Sequence, residues 1–496
     1  MTPRYVLAID EGTTGATALV LDVSGRVAGR GYREIAQHFP RPGWVEHDPM
    51  DILERTLEAT REAVAHAGVT PAAIGITNQR ETVVLWDRAS GEPVAPAIVW
   101  QDRRTTERCA ALAPRAADIT ARTGLVVDPY FSATKLEWLL AQGGLGERAA
   151  RGELAFGTVD SWLIWRLTGG RVHATDYSNA SRTMLFDIGK RVWSAELCDL
   201  FGVPASLLPD VRASAGDFGM ARGELLGVRG EIPIRGVAGD QQAALFGQGC
   251  WQAGEGKNTY GTGAFLLMNA GATRPPAGQG LLTTLACDTT GAPAYALEAS
   301  IFIAGAAVQW LRDGLGLIAN ARESEALAAG LASNDGVYFV PALVGLGAPH
   351  WEPEARGTIV GLTRGTTRAH VVRAALEAMA FGTADVLHAM RAASAVPFET
   401  LRVDGGASAN GWLMQFQADV LGVSVERPDM VETTALGAAG LAGIAAGVWP
   451  DADAFLATRH FDRFAPGAGA GAARDAAEGW ARAVRATLAW ARDRGV

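Results

Sequence analysis

The chain has 496 residues, of which 48% are hydrophobic and 20% are charged, and its formal net charge at pH 7 is -9. This composition excludes a disordered chain, and the length predicts two large folded domains rather than one compact core. Lys and Arg form only scattered pairs such as Arg103-Arg104. The acidic balance therefore excludes nucleic acid as the main partner, because binding a phosphate backbone needs clustered cations.

The cysteines and the first ten residues predict the cellular compartment of the protein. The four cysteines, Cys109, Cys198, Cys250 and Cys287, include no Cys-x-x-Cys pair. They indicate neither a zinc site nor a disulfide framework, so a protein of the reducing cytosol is expected. Residues 1–10 lack the apolar segment of a secretion signal and are expected to form the first strand.

The first half begins with strand-like alternation. Five short runs are predicted strands: 5–9, 16–21, 27–35, 74–77 and 82–86. A helix is expected between the third and fourth runs. Asp48 is a suitable N-cap, Pro49 suits the first turn, and Gly68 suits the exit.

The second half is predicted to open in a similar way, with a Gly/Thr turn at residues 258–263 between two apolar runs. Helices are expected at 301–312 and 367–391. A strand from 401 ends in Asp404-Gly405-Gly406, and Ser408 is expected to cap a helix that runs to Leu421. The shared order of turns predicts two similar α/β domains, residues 1–247 and 248–496.

The longest uncharged run, residues 433–450, is rich in Ala and Gly and contains the pair Gly443 and Gly447. It is short and only weakly hydrophobic for a membrane span. A buried helix packed tightly against a neighbour is predicted instead, and no integral membrane segment is expected.

The turn at residues 10–15 joins a carboxylate to glycines and hydroxyls. Asp10 suits Mg²⁺, while the backbone N–H groups and hydroxyls of Gly12, Thr13 and Thr14 suit phosphate. A plain β-hairpin turn is the alternative interpretation.

Two further carboxylates follow predicted strands. Asp240, after Gly239, can orient a hydroxyl group or accept its proton, as a kinase requires, although capping a helix is the alternative. The turn from Asp404 through Gly406 to Asn410 can host a nucleotide or serve as an ordinary connection.

Two common nucleotide motifs are missing from the sequence. No Gly-x-x-x-x-Gly-Lys-Ser/Thr string occurs, since residues 254–258 only resemble one, and no Gly-x-Gly-x-x-Gly follows a suitable strand. A kinase with this sequence is therefore expected to bind ATP between two lobes.

The three turns, taken together, resemble those of the FGGY carbohydrate kinases. The strings Tyr130-x-Ser132-x-x-Lys135-Leu136 and Gly357-x-Ile359-x-Gly361-Leu362 are similar to the two family signatures. The resemblance spans nearly the whole chain. It implies an α/β fold with two ribonuclease H-like domains, of the actin/Hsp70/hexokinase type, around an interdomain cleft.

Within that family, the chain looks most like the members that phosphorylate glycerol. The strings at 78–82, 100–105, 160–163, 176–184 and 413–417 carry this likeness. It implies ATP-dependent formation of sn-glycerol 3-phosphate in glycerol catabolism, with Asp240 as the general base. The partners it implies are glycerol, ATP with Mg²⁺, and further copies of the chain in a dimer or tetramer.

The resemblance also implies roles for individual residues. The implied glycerol contacts are Arg80, Glu81, Tyr130, Asp240 and Gln241, with Trp100 and Phe265 covering the carbon backbone. The implied phosphate and nucleotide contacts are Gly12, Thr13, Thr14, Thr262, Gly305, Gln309, Gly406 and Asn410. The implied metal ligands are Asp10 and Asp240.

The chain departs from these relatives in the first turn. Glu11 stands where they carry Gln, Gly15-Ala16 replaces Ser-Ser, and Thr17 replaces Arg. If Glu11 faced the phosphates, repulsion across ~5 Å would cost about 1–3 kcal/mol. Residues 227–233 look shorter than the effector loop of some relatives, so that form of regulation is not expected.

Two other functions fit parts of the same sequence. One is a kinase of another polyol or of a ketose, and the other is a degenerate family member that binds ligands as a sensor. The presence of Asp10, Asp240 and Asp404 together argues against the sensor.

Overall fold

The computed structural model describes residues 4–276, 278, 280–430 and 432–493. Two sheets organise the chain, one in each half. The strands of the first half are β1 (Val6–Glu11), β2 (Gly15–Leu21), β3 (Val27–Glu34), β4 (Glu46–His47), β5 (Ala73–Asn78), β6 (Val84–Asp87), β7 (Ala97–Ile98), β8 (Leu154–Gly157), β9 (Ala174–Asp176), β10 (Phe186–Asp187), β11 (Val192–Trp193), β12 (Asp210–Arg212), β13 (Met220–Arg222) and β14 (Glu231–Gly239). Its helices are α1 (Pro49–Ala67), α2 (Thr106–Ala111), α3 (Ala116–Thr123), α4 (Ser132–Leu140), α5 (Leu145–Ala150), α6 (Val159–Leu167), α7 (Tyr177–Ala180), α8 (Ala195–Leu200) and α9 (Asp240–Gly247).

The second half has its own set of elements. Its strands are β15 (Glu255–Tyr260), β16 (Ala264–Gly271), β17 (Leu282–Cys287), β18 (Pro293–Ile301), β19 (Tyr338–Val340), β20 (Thr358–Val360), β21 (Thr400–Asp404), β22 (Ser424–Pro428) and β23 (Phe461–Phe464). Its helices are α10 (Gly305–Asp313), α11 (Glu323–Ala329), α12 (Arg368–Ser394), α13 (Gly411–Leu421), α14 (Thr433–Ala445), α15 (Ala452–Leu456) and α16 (Ala470–Arg492).

The two main sheets share a local plan. The first has six strands in the order β13-β14-β5-β1-β2-β3, and the second has seven in the order β17-β18-β16-β15-β21-β22-β23. In each, an antiparallel hairpin (β1–β2 or β15–β16) lies beside a parallel strand (β5 or β21). The predicted α/β class and the similarity of the two halves are therefore confirmed.

Helix α1 begins and ends where its sequence predicts. The Oδ1 atom of Asp48 accepts a hydrogen bond from the backbone N–H of Met50 at 2.8 Å, and Gly68 ends the helix with φ 65°. A left-handed φ of this kind favours glycine at the helix exit. The α1 side chains Ile52, Leu53 and others pack into the core beside the first sheet.

The predicted cap of α13 is wrong. Asn410 caps this helix, because its Oδ1 accepts a hydrogen bond from the backbone N–H of Leu413 at 2.9 Å. Ser408 lies in a preceding 3₁₀ turn, where its hydroxyl donates to the carbonyl oxygen of Gly405 at 2.7 Å. The 3₁₀ turn, Gly406–Ala409, thus places the cap of α13 two residues later than predicted.

Helix α14 is the buried helix predicted for the uncharged run. It belongs to the second half of the chain but packs against α9 and against β1, β5 and β14 of the first sheet. The contact is close because glycines line it. A Cβ atom added to Gly437 would overlap the carbonyl oxygen of Ala243, and one added to Gly75 would overlap that of Ala438. In the described ranges, no helix is both long enough and apolar enough to cross a membrane.

Gly437→Ala is expected to lower stability by about 1–3 kcal/mol, because the added methyl group has no space between α14 and α9. Thermal unfolding followed by calorimetry measures the loss. Gly471→Ala is the matched control, since it adds the same methyl group to α16 with nothing within 4 Å, and it should leave the midpoint unchanged or raise it. Equal midpoints for the two variants would contradict the tight packing of α14.

Candidate active site

The carboxyl ends of three parallel strands meet at one edge of the first sheet. Strand β5 is parallel to both β1 and β14, so Asp10, Arg80 and Asp240 come to the same edge, where ligands of open α/β sheets bind. The Nε atom of Arg80 lies 3.0 Å from Oδ1 of Asp240. Burial, followed by the charge of Asp240, raises the pKa of Asp10 to about 7. Asp10 lies at the end of β1 and Asp240 follows β14, and these two strands flank β5.

Asp240 is the first residue of α9 rather than its cap, because Gly239 occupies the N-cap position. Its Oδ1 accepts a hydrogen bond from the backbone N–H of Gln241 at 2.6 Å and forms an ion pair with the guanidinium of Arg80 at 3.0 Å. The side chain remains 33% exposed. It is therefore held in place by donors on one side while solvent or a ligand can reach it on the other.

A buried ion network fixes Arg80. The Glu298 carboxylate, on β18 of the second sheet, accepts from Nη1 and Nη2 of Arg80 at 2.7 and 3.1 Å and from Nη2 of Arg182 at 2.9 Å. Arg182 also donates through Nε to Glu81 at 2.6 Å. Burial acts to raise the pKa of Glu298, but Arg182 and Arg80 outweigh it and hold the pKa at about 2. The carboxylate therefore stays charged and ties the two halves together.

Glu298 and Arg182 are absent from the predicted site. Glu298 is the single charged residue of the apolar run 293–301, a pattern that signals a buried partner but does not say which. Arg182 enters the sequence argument only as part of the string 176–184. Both residues are fully buried, so each needs a partner of opposite charge.

The predicted glycerol contacts of the first half lie together. The rings of Trp100 and Tyr130 are 5.5 Å apart at 66°, and Nη2 of Arg80 donates to the Tyr130 hydroxyl at 3.4 Å. Trp100 donates through Nε1 to the Thr13 hydroxyl at 2.9 Å, which joins this group to the first turn. Glu81 is buried with φ 62°, a left-handed conformation that its contacts must hold.

Phe265 comes from the second sheet. It is half-buried on β16, opposite Thr259 of β15 and Ser300 of β18 in register. Among the described residues, its ring makes no aromatic contact with Trp100 or Tyr130. The first-half contacts thus form one group, and Phe265 lies apart from their rings.

The first turn closes the β1–β2 hairpin, with the Gly12 N–H donating to the Gly15 carbonyl at 3.0 Å. Thr14 is exposed at its tip, so the hairpin interpretation and a phosphate contact are compatible. Glu11 lies inside, where Nε2 of Gln79 approaches its two oxygens at 3.4 and 3.3 Å. Burial raises the pKa of Glu11 well above its usual value. The Glu11 side chain is therefore turned inward, toward Gln79, rather than toward the outer side of the turn.

The nucleotide contacts predicted for the second half line one cavity. Its volume is about 540 Å³, within the usual range of small-molecule sites. The predicted residues on its wall are Thr262, Gly305, Gln309, Gly406 and Asn410. Gly405 precedes this wall with φ 83°, and a Cβ atom there would overlap the carbonyl oxygen of Tyr260, which also lines the cavity. The cavity has both the size and the backbone access that a nucleotide needs.

Asp404 lies at the end of β21 between this cavity and the first half. Its Oδ2 accepts hydrogen bonds from the side chains of Gln248, at 2.8 Å, and of Thr433. Its Oδ1 is buried with no hydrogen-bond partner among the described residues. A buried carboxylate oxygen without a partner is costly, which is typical of a site that receives a donor with its ligand.

Comparison with known proteins gives one answer over the whole chain. The N-terminal domain of the FGGY family of carbohydrate kinases matches residues 5–247, and the C-terminal domain matches residues 256–446. A glycerol kinase of Polaromonas naphthalenivorans is 55% identical, and glycerol kinase 2 of Thermotoga maritima is 54% identical, each over 98% of this chain and 99% of its own. A crystal structure of Plasmodium falciparum glycerol kinase with ADP matches with TM-score 0.94 at 35% identity, over 98% of both chains. The chain belongs to the FGGY family of carbohydrate kinases.

Proposed function

We propose that this protein is a glycerol kinase, which transfers the γ-phosphoryl group of ATP to glycerol and yields sn-glycerol 3-phosphate and ADP. The similarity to glycerol kinases at 54–55% identity over nearly the full chain supports this substrate. The observation that carries the proposal is the placement of Asp240 beside Arg80, at the strand edge that also holds the Asp10 turn.

The glycerol pocket is built from charged, amide and phenol groups. Arg80, Glu81, Tyr130, Asp240 and Gln241 would hold the three hydroxyl groups. A triol offers several donors and acceptors around little apolar surface, so polar side chains must supply the selectivity. Trp100 would cover the carbon backbone from the first half, and Phe265 from the second.

Asp240 would act as the general base. Its carboxylate accepts the proton of a terminal glycerol hydroxyl as the hydroxyl oxygen bonds to the γ-phosphorus. The bond from the γ-phosphorus to its bridging oxygen breaks, and the electron pair leaves with ADP. Arg80, held through its Nη atoms by Glu298, keeps the Asp240 carboxylate in one orientation through Nε.

The two halves would divide the substrates between them. Residues 1–247 would carry the glycerol and phosphate side, and residues 248–496 the nucleotide side, with Thr14 and Thr262 reaching the phosphates from opposite walls. Gly12, Thr13, Gly305, Gln309, Gly406 and Asn410 would complete the ATP contacts. Closure of the lobes would exclude water, which competes with glycerol as the phosphoryl acceptor.

Asp10 and Asp240 suit a magnesium ion that arrives with ATP. In the described ranges, no group of three His, Cys, Asp or Glu side chains could hold a metal by itself. Two neighbouring carboxylates still fit Mg²⁺, which keeps waters and takes phosphate oxygens as its other ligands. The ion would neutralise charge that develops on the phosphate oxygens.

The cytosolic location and the dimeric or tetrameric assembly implied by the resemblance stay predictions. Cell fractionation measures the first. Light scattering of the purified protein measures the second.

Asp240→Asn is expected to lower kcat by about 100- to 10,000-fold, because the amide cannot accept the hydroxyl proton. Glycerol binding should persist, since an amide of the same shape still fills the site. ADP release is measured for both proteins with glycerol, other polyols and ketoses.

If the Asp240→Asn variant turned over as fast as the wild type, the role of Asp240 would be contradicted. If the wild type preferred another acceptor to glycerol, the protein would instead be the kinase of a different polyol or of a ketose. A wild type that binds ATP and glycerol but forms no ADP would support the sensor.

Glu298→Gln is expected to cost about 3–5 kcal/mol of stability at pH 7, because Arg80 and Arg182 keep their buried charges without a counterion. The KM for glycerol should rise as well, since Arg80 loses its orientation. Thermal unfolding and steady-state kinetics measure both effects. The folded pKa of Glu298, about 2, lies below the usual unfolded value of about 4.3. The stability difference should therefore be complete above that unfolded pKa and shrink as pH falls toward 2.

Asp118→Asn is the control for this experiment. It removes a surface carboxylate that pairs with Arg115 and Arg122 and should leave both the thermal midpoint and the KM nearly unchanged. A Glu298→Gln protein as stable as this control would contradict the network.

A further inference from the structure

The mechanism above gives no role to the buried amino group of Lys257. Lys257, on β15 of the second sheet, has no exposed surface. Its ammonium donates to Oε1 of Gln241 and to the Thr259 hydroxyl, the latter at 2.8 Å. Gln241 belongs to α9 of the first half, so Lys257 reaches across from the nucleotide half to a proposed glycerol contact.

The chemistry of the ammonium group decides the orientation of the Gln241 amide. An ammonium has only donors, so the amide atom that faces it must be the oxygen Oε1. The NH₂ group of the amide, Nε2, is then the opposite end. Among the described residues, no acceptor takes a hydrogen bond from that Nε2. Gln241 therefore presents two unused N–H donors beside Asp240.

Burial and two nearby carboxylates act on the charge of Lys257 in opposite directions. Burial lowers the pKa of Lys257, while the charges of Asp404 and Asp240 act to raise it. A buried cation is costly without partners, and a buried ion pair is often replaceable by apolar residues without loss of stability. Packing alone therefore gives little reason for a lysine here.

We propose that Lys257 is a positioning residue for glycerol, which holds Oε1 of Gln241 so that Nε2 donates to a hydroxyl oxygen of the substrate. The inference rests on the proposed function. Asp240 offers only acceptor oxygens, and Gln241 held in this way offers only donors. A hydroxyl group is both donor and acceptor, so the two neighbouring side chains complement it. If the amide were reversed, Oε1 of Gln241 and the Asp240 carboxylate would both need the single hydroxyl proton of the substrate. The hydroxyl oxygen would then receive no hydrogen bond from Gln241.

A different role for the same residue is direct attraction of the ATP phosphates. The two roles predict different kinetics. If Lys257 attracted the ATP phosphates, replacing it would raise the KM for ATP whether or not Gln241 is present. A positioning residue acts on the KM for glycerol and only through Gln241.

A double-mutant cycle separates them. Four proteins are compared: wild type, Lys257→Met, Gln241→Ala and the double variant. ADP release gives kcat and the KM values for glycerol and ATP, and thermal unfolding gives the midpoints. Lys257→Met and Gln241→Ala should each raise the KM for glycerol about tenfold, the size of one lost hydrogen bond to a substrate hydroxyl. The double variant should resemble Gln241→Ala alone, because both changes remove the same donor. The KM for ATP should change less than about twofold, within what a single weak contact contributes.

Two further variants sharpen the cycle. Lys257→Arg should recover part of the loss, since a guanidinium also has only donors. Lys190→Met, at an exposed position, is the matched control for losing a lysine and should leave all constants unchanged. Independent effects of Lys257→Met and Gln241→Ala, or a raised KM for ATP with an unchanged KM for glycerol, would overturn the proposal.

Gln241→Glu tests the donor if Lys257→Met does not fold. It keeps an acceptor for Lys257 but removes the N–H donors, so the thermal midpoint should hold while the KM for glycerol rises as in Gln241→Ala. A wild-type KM in Gln241→Glu would refute the inference. If the wild type forms no ADP with glycerol, the proposed function is refuted. If the wild type turns over normally and the effects of Lys257→Met and Gln241→Ala are independent, only the role of Lys257 is refuted.

Discussion

The contact of Glu298 with two arginines holds the candidate site together. One carboxylate from the second sheet accepts hydrogen bonds from Arg80 and Arg182 of the first half, all without exposure to water. Arg80 in turn orients Asp240, and Arg182 in turn holds Glu81. This edge of the first sheet is therefore organised by a residue that lies outside it. Any displacement of β18 relative to that edge would release both guanidinium groups.

The same edge shows why buried charges are tolerated here. Isolated charges in a protein interior are costly, but each of these meets an opposite charge or a fixed dipole. Glu298 lies among two guanidinium groups and near Lys257, while Lys257 lies near Asp240 and Asp404. The result is a set of donors and acceptors already oriented by one another, which is what electrostatic preorganisation requires.

Local features of the fold followed from local sequence. The caps of α1, the strands around the first turn and the buried helix α14 all match their predicted positions closely, because capping, turn chemistry and apolar patterning act over a few residues. The cap of α13 was misassigned by two residues, since a 3₁₀ turn separates Gly405 from the helix. The orientation of Glu11 could not be derived, because the turn sequence allows the side chain to face either way.

The sequence by itself determined the elements around the three turns, the chemical groups at those turns and, through its motifs, the family. Only the tertiary structure decided which of those groups meet. Arg80 and Glu298 are 218 residues apart, and nothing in the local pattern of either names the other. An ion pair depends on distance and burial, and both arise only when the two sheets and α14 pack against each other. For the same reason, the partner of Lys257 and the direction of the Gln241 amide became visible only in the folded chain.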